Sequence, residues 1–208
     1  MKHLQHGTLL AATLSTGLMA GLFAAFAYSV MPGLARSSDH TFVDAMQRIN
    51  EAILNPVFML PFMGSIPLLG LAIVLAWRTP GRPAVAWLIA ALACYLIAFM
   101  VTSGVNVPLN DQLAKAGDPD HVRRLATVRS DFEHQWVASN IVRAVLHTAS
   151  FACMAWALLV YGAHALPAGR STESPAQRHT GSPGALHDPA AADSPAVAAR
   201  TSAAGRPR

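Results

Sequence analysis

Three polar residues near the start of the last apolar segment have the types and the spacing of a candidate site. Asn140, Arg143 and His147 follow one another at intervals of three and four residues, which places them on one face of a helix, and Trp136 lies one turn earlier. A charged arginine inside a membrane segment is costly unless it is paired or faces a polar cavity. We therefore predict that Arg143, Asn140 and His147 face a pocket. The alternative is that Arg143 marks the membrane interface and extends its guanidinium towards water.

A second polar group follows the third apolar segment. Asn106 and Asn110 flank Pro108, which cannot continue normal helical hydrogen bonding, so we predict that the helix breaks here. Asn side chains can satisfy the free carbonyl groups of such a break, or they can simply cap the helix. In an up-and-down bundle, this end of helix three lies beside the start of helix four. The residues expected to converge there are Asn106, Asn110, Asn140 and Arg143, joined by Gln47, Asn50 and Asn55.

The composition indicates where these side chains lie. Of the 208 residues, 53% are hydrophobic and only 12% are charged, which leaves too few polar groups to cover a water-facing surface. The net charge of +4 comes from a scarcity of acids and from scattered arginines, without a dense basic stripe. These features predict a partner in the lipid bilayer and none among nucleic acids.

Four long uncharged segments predict the architecture. The first is Thr8 to Met31, and the others lie between Glu51 and Arg78, Arg82 and Asp111, and Arg143 and Arg170. The 24 residues of the first segment would span ~36 Å as a helix, against a hydrocarbon core of ~30 Å. We predict an all-α membrane protein, a four-transmembrane-helix bundle, with helices at about 8–31, 54–77, 84–105 and 138–163 in a domain of residues 1–166.

The first segment has an alternative interpretation. Lys2, the apolar run and Ala25-Phe26-Ala27 resemble a secretory signal with its cleavage site. The run is longer than a signal core, however, and Gly17 to Gly21 forms a small-xxx-small motif suited to close helix packing. We expect this helix to be retained.

The connections differ in length and in character. Arg78 to Pro83 is a tight hairpin that makes helices two and three antiparallel neighbours. Amphipathic helices are predicted in the first and third connections, and both would cover the same end of the bundle. The first has an apolar stripe, and the second begins at Asp118-Pro119 and continues towards helix four. The stripes are Phe42, Met46, Ile49 and Ile53, and Val122, Leu125, Phe132 and Trp136.

The density of basic residues beside the short hairpin favours a cytoplasmic location for both termini, in a bacterial inner membrane. After Leu166 the composition changes to Pro, Ala, Ser, Gly and His. Such a segment cannot bury enough apolar surface to offset its ordering entropy, so residues 167–208 are predicted to be a disordered tail.

Several short strings resemble the anthrone oxygenase-like membrane family across roughly residues 8–163. They occur in order along the chain: Val30-Met31-Pro32-Gly33, Ala45 to Asn50 with Asn55-Pro56, Asn106 to Asn110, and Trp136 with Asn140 and Arg143. Many bacterial members have no known function. The resemblance to the fungal members implies a monooxygenase, an oxidoreductase that converts an anthrone to an anthraquinone with O2 and without metal or flavin.

Such a reaction needs a base, an anion clamp and a dry pocket. Arg143 and Asn140 with Asn106 and Asn110 are the candidate clamp, His147 is the candidate base, and His134 is the second choice. The expected binding residues are Asn106, Asn110, Trp136, Gln47, Asn50 and Asn55. No spacing typical of a metal or cofactor site occurs, so no cofactor is expected. The alternative function is a non-catalytic four-helix protein, a subunit or small-molecule carrier, whose polar residues serve helix packing.

Overall fold

A computed structural model describes residues 2–77 and 81–165, and all regular structure within them is helical. The predicted disordered tail, and Arg78 to Pro80 of the predicted hairpin, lie outside the described residues. We number in chain order the α-helices of nine or more residues. They are α1 (Lys2–Ala25), α2 (Asp39–Ala52), α3 (Pro56–Trp77), α4 (Val85–Val101), α5 (Val107–Lys115) and α6 (Leu125–Ala165).

The predicted four-helix membrane bundle is confirmed. Within the described residues, four helical stretches are long and apolar enough to cross a membrane: His3–Leu34, Pro56–Trp77, Arg82–Lys115 and Leu125–His164. Their outer faces carry large apolar side chains, such as Leu18, Leu60 and Val145, each more than 60% exposed. In water such a surface would be unfavourable, whereas in lipid it needs no cover.

Two π-helical turns interrupt these spans, and each comes directly before a proline. The turn Phe26–Val30 precedes Met31-Pro32, and the turn Thr102–Asn106 precedes Val107-Pro108. A proline lacks the backbone N–H and crowds the preceding turn of an α-helix, and a π-helical turn widens the backbone at that point.

The predicted break at Pro108 is therefore wrong. The third span passes through the π-helical turn into α5 and ends only at Lys115, beyond the predicted boundary near residue 105. Likewise the first span begins before residue 8, because the chain is already helical at Lys2. The helices accommodate these prolines through the π-helical turns and do not end at them.

The amphipathic helix predicted in the first connection is confirmed as α2, which buries Phe42, Val43 and Met46. In the third connection, the predicted start at Asp118-Pro119 is wrong, because the helix α6 begins at Leu125. Asp118 instead accepts a hydrogen bond from the backbone N–H of Asp120 (3.0 Å), which favours a turn over a helix. From Leu125 the amphipathic part and the fourth span form one continuous helix of 41 residues.

Polar contacts fix α2 across the end of the bundle. The Arg129 guanidinium of α6 donates to the carbonyl oxygens of Ala35 and Ser37, and it forms ion pairs with Asp39 (3.0 Å) and Glu133 (2.6 Å). On the other side, Gln47 Nε2 donates to the carbonyl oxygens of Leu113 (2.8 Å) and Gly117 (3.0 Å). The helix α2 is thus held over the membrane bundle as a lid.

Candidate active site

A cavity of about 610 Å³ lies beneath α2, between the four membrane spans. Its walls are mostly apolar and aromatic, with phenylalanine rings from three of the spans and the Trp136 ring from the fourth. Phe23 and Phe26 belong to the first span, Phe58 and Phe62 to the second, and Phe99 to the third. A cavity of this size and lining suits a flat, hydrophobic ligand of several rings.

Arg143 contributes a buried charged group to the cavity wall, because it is only 5% exposed. Its Nη2 donates to Asn140 Oδ1 at 2.9 Å, and its guanidinium carbon lies 4.5 Å from the centre of the Phe23 ring and 5.4 Å from that of Trp136. No carboxylate within residues 2–77 and 81–165 forms an ion pair with it, and its buried Nε has no hydrogen-bond partner there. A desolvated cation with free donors at a cavity wall is suited to bind an anion.

Asn140 holds this arginine in place. It is fully buried, and its Nδ2 lies 3.4 Å from the backbone carbonyl oxygen of Phe23 in α1. Because that nitrogen is used by α1, the amide oxygen faces Arg143 and accepts from it. The pair therefore spans from α6 to α1, and the arginine approaches the cavity along a fixed direction.

A chain of hydrogen bonds fixes the orientation of the Asn106 amide. Ser139 Oγ donates to the Trp136 carbonyl oxygen (2.9 Å), which can only accept, so Ser139 must accept from Asn106 Nδ2 (2.8 Å). The Oδ1 atom of Asn106 is then left as a buried acceptor without a partner among the described residues. Further along, Trp136 Nε1 donates to Asn110 Oδ1 at 2.8 Å. The site thus presents a cation from α6 and an acceptor from the third span.

The other predicted binding residues divide into two groups. Gln47, Asn50, Asn110 and Trp136 line the cavity, and Asn50 Nδ2 is buried without a partner within the described part of the chain. Asn55 does not line it: its Oδ1 accepts from the backbone N–H of Phe58, and its Nδ2 donates to the Ala52 carbonyl oxygen. That residue joins α2 to α3 and does not face the site.

Comparison with known proteins gives one family match. Residues 58–153 match the family model described as anthrone oxygenase. Over this range, somewhat less than half of the chain, the protein is similar to the anthrone oxygenase family. Searches of curated proteins and of solved structures gave no match. The matched range contains Asn106, Trp136, Asn140 and Arg143, whereas Phe23 and the lid α2 lie before it.

His147 lies one turn beyond Arg143 and is fully buried, but it is not part of the cavity wall. Its ring stacks on Phe23 with 4.6 Å between centroids and meets the Tyr95 ring edge-on at 4.7 Å. Neither ring nitrogen has a hydrogen-bond partner among residues 2–77 and 81–165. Its role as a base stays a prediction. His134, the second choice, is exposed on α6 and does not line the cavity either.

The sequence did not single out several parts of the site. The phenylalanines looked like ordinary core residues, and Ser139 had no visible motif. Three carboxylates at the lid end of the cavity were also missed: Glu51, Asp111 and Asp118, all exposed. The hydrogen bond from the Asp120 backbone N–H, helped by His121, holds the pKa of Asp118 below its usual value, so this carboxyl is ionised near neutral pH.

No group of three or more His, Cys, Asp or Glu side chains in the described ranges could hold a metal ion. The expectation that no cofactor is needed concerns the reaction itself, and it stays a prediction.

Proposed function

We propose that this protein is a membrane-embedded oxygenase that oxidises a hydrophobic phenolic or anthrone-type substrate with O2, without a cofactor. The observation that carries the proposal is Arg143, a buried cation with no ion-pair partner among the described residues, at the wall of an aromatic cavity. Such an arrangement stabilises negative charge that develops on a bound oxygen atom. The family match supports the same chemistry.

The substrate itself supplies the electrons that reduce O2. A base removes a proton from the methylene carbon of the anthrone, and the resulting oxyanion is held by Arg143. The anion transfers one electron to O2, and the two radicals combine to form a carbon–oxygen bond. The peroxide takes up a proton, then loses the second methylene proton and the terminal oxygen as water. One anthrone and one O2 thus give one anthraquinone and one water.

The proton acceptor has two candidates. His147 stays the proposed base, but it is fully buried and Phe23 stacks on its ring, so the rings around it must move before a substrate can reach it. The carboxylates of Glu51 and Asp111 contact the cavity directly and are open to water, which would carry the proton away. The two candidates predict different variants to be inactive, as set out in the Discussion.

A non-catalytic role is the second candidate, and specific contacts favour it. The hydrogen bond between Asn106 and Ser139 joins the third and fourth spans, and Asn140 joins the fourth span to the first. The same polar residues therefore serve helix packing. A purely structural role leaves the free donor of Arg143 and the free acceptor of Asn106 unexplained.

The proposal is tested by O2 consumption of the purified protein in nanodiscs with emodin anthrone, corrected for the spontaneous oxidation of the anthrone. We expect turnover that persists in the presence of a metal chelator, with one O2 used for each anthraquinone formed. A rate equal to the spontaneous one would remove the oxygenase function and leave the packing role. Chelator-sensitive turnover would instead contradict the cofactor-independent mechanism.

Asn106 is expected to select substrates with a hydroxyl group beside the carbonyl. Its free Oδ1 can accept from that hydroxyl, and one such hydrogen bond contributes about 1 kcal/mol, or severalfold in affinity. In Asn106→Leu we expect the wild-type preference for a dihydroxyanthraquinone over unsubstituted anthraquinone to disappear in tryptophan-quenching titrations. Asn110→Leu is the matched control, because Asn110 Oδ1 is already engaged by Trp136, and it should keep the preference. An unchanged preference in Asn106→Leu would contradict this role.

We also propose a bacterial inner membrane as the location, with both termini in the cytoplasm. The four apolar spans support an integral membrane protein, and the orientation follows from the basic residues beside the short hairpin.

A further inference from the structure

A second, open groove of about 640 Å³ runs along the outer side of α3, from Leu54 to Pro67. It is lined by apolar side chains apart from Asn55, and two of them, Leu54 and Leu60, are each 72% exposed. Because α3 is a membrane span, this side of it faces lipid. The helix is also the least covered of the four: 22% of its most apolar window is buried, against 33% for each of the others.

The groove and the inner cavity share part of their walls. Leu54, Met59 and Met63 line both of them, so these three side chains are the partition between the lipid face and the cavity of Arg143. Methionine is unbranched and changes rotamer easily, which makes it suited to a partition that opens. Pro61 lies between the two methionines and removes one helical hydrogen bond from α3 at this height.

The side of the cavity beneath the lid carries acidic residues. Glu51, Asp111 and Asp118 lie there beside the lid, and all three are exposed to water. Carboxylates at an entrance disfavour anions and offer little to an apolar molecule. An uncharged hydrophobic molecule dissolved in the bilayer meets no such barrier at the methionine side.

We propose that the substrate enters sideways from the bilayer, through a gate formed by Leu54, Met59 and Met63, and reaches Arg143 without passing through water. This inference rests on the proposed function, since it concerns the route to that same site. The occupant of the outer groove is thus the neutral, ring-bearing substrate on its way inward. Its negative charge develops only after it has passed the gate, next to Arg143.

The test measures how fast a ligand enters. Dihydroxyanthraquinone, which is product-like and does not consume O2, is mixed with the protein in phosphatidylcholine nanodiscs, and quenching of tryptophan fluorescence is followed by stopped flow. In the double variant Met59→Phe/Met63→Phe, stiffer and larger rings close the partition. We expect the association rate to fall about tenfold, as it does when a barrier rises by about 1.4 kcal/mol. Phenylalanine adds no indole, so the readout is unchanged.

Two further variants complete the test: a matched control, and a variant in which the partition is opened. Val74→Phe places the same ring at a residue of α3 that is 66% exposed and lines neither cavity nor groove, and it should keep the wild-type rate. Met59→Ala/Met63→Ala removes the partition and should bind faster than the wild type. This second variant also keeps the test decisive if the phenylalanine variant does not fold.

The possible outcomes distinguish the lateral entry route from the proposed oxygenase activity. Wild-type rates in both double variants would overturn the gate and leave the proposed oxygenase in place. Slowed binding in the phenylalanine variant, together with no O2 consumption by the wild type, would support the gate and remove the oxygenase. If the wild type does not bind the probe at all, both proposals fail for this class of ligand.

Discussion

Replacement of Arg143 by glutamine is expected to lower kcat/KM for emodin anthrone by about 10³-fold, the effect of removing a main donor to a developing oxyanion. Arg143 is 5% exposed and contacts the cavity, and no ion pair within the described ranges neutralises it. Glutamine can keep the hydrogen bond to Asn140 but supplies no charge. The measurement is O2 consumption and anthraquinone formation in nanodiscs, with the spontaneous rate subtracted.

The stability of this variant distinguishes catalysis from packing. A buried, unpaired charge destabilises a fold, so its removal should leave the unfolding temperature in detergent unchanged or raised. If Arg143 served only helix packing, Arg143→Gln would unfold at a lower temperature. Either a wild-type rate or a clear loss of stability in this variant would contradict the proposed clamp.

Arg129→Gln is the matched control for Arg143→Gln. It is the same substitution in the same helix, but Arg129 forms two ion pairs and donates to two carbonyl oxygens that fix the lid. The substitution Arg129→Gln should lower the free energy of unfolding by about 2 kcal/mol, because the partly buried carboxylates of Asp39 and Glu133 are left without their cation. The two arginines are thus expected to have opposite effects on stability.

Replacement of His147 by phenylalanine is expected to lower kcat by about 10²- to 10⁴-fold if the imidazole is the base, with the fold retained. The position accepts an aromatic ring, since Phe23 and Tyr95 surround it with ring contacts. Both ring nitrogens are buried without a partner among the described residues, so phenylalanine removes an unfavourable polar group at the cost of slight crowding. The unfolding temperature should therefore change little.

His164→Phe is the control, because this residue is exposed at the far end of the same helix. Turnover of His147→Phe within a few-fold of the wild type would remove the imidazole from the mechanism. In that case Glu51→Gln or Asp111→Asn should be the inactive variant. Loss of activity in these carboxylate variants alone would place the proton acceptor at the lid end of the cavity.

The convergence of distant polar residues could be predicted in large part. Asn106, Asn140 and Arg143 do lie at one cavity, together with Gln47 and Asn50 from the lid. Their helical spacing and the up-and-down order of the spans were sufficient for that, because the ends of adjacent antiparallel helices meet on one side of a bundle.

The helical spacing of these residues did not determine which side chains reach the cavity. His147 shares the helical face of Arg143, yet it lies one turn deeper, where Phe23 of another helix covers it. Asn55 follows the lid directly, but its side-chain amide forms hydrogen bonds with the backbone between α2 and the start of α3. A face is a local property of one helix, whereas exposure on that face depends on what the neighbouring helices place against it.

By itself, the sequence determined the four spans, the lid helix α2 and the helical face of Arg143, because hydropathy and helical period are local and strong signals in a membrane protein. Only the tertiary structure decided the π-helical turns before Pro32 and Pro108, the free acceptor of Asn106, and the methionine partition towards the lipid. The acceptor and the partition depend on contacts between residues far apart in the chain, and such contacts leave no periodic trace in it. A proline, in turn, is compatible with either a helix break or a π-helical turn, so its presence did not decide between them.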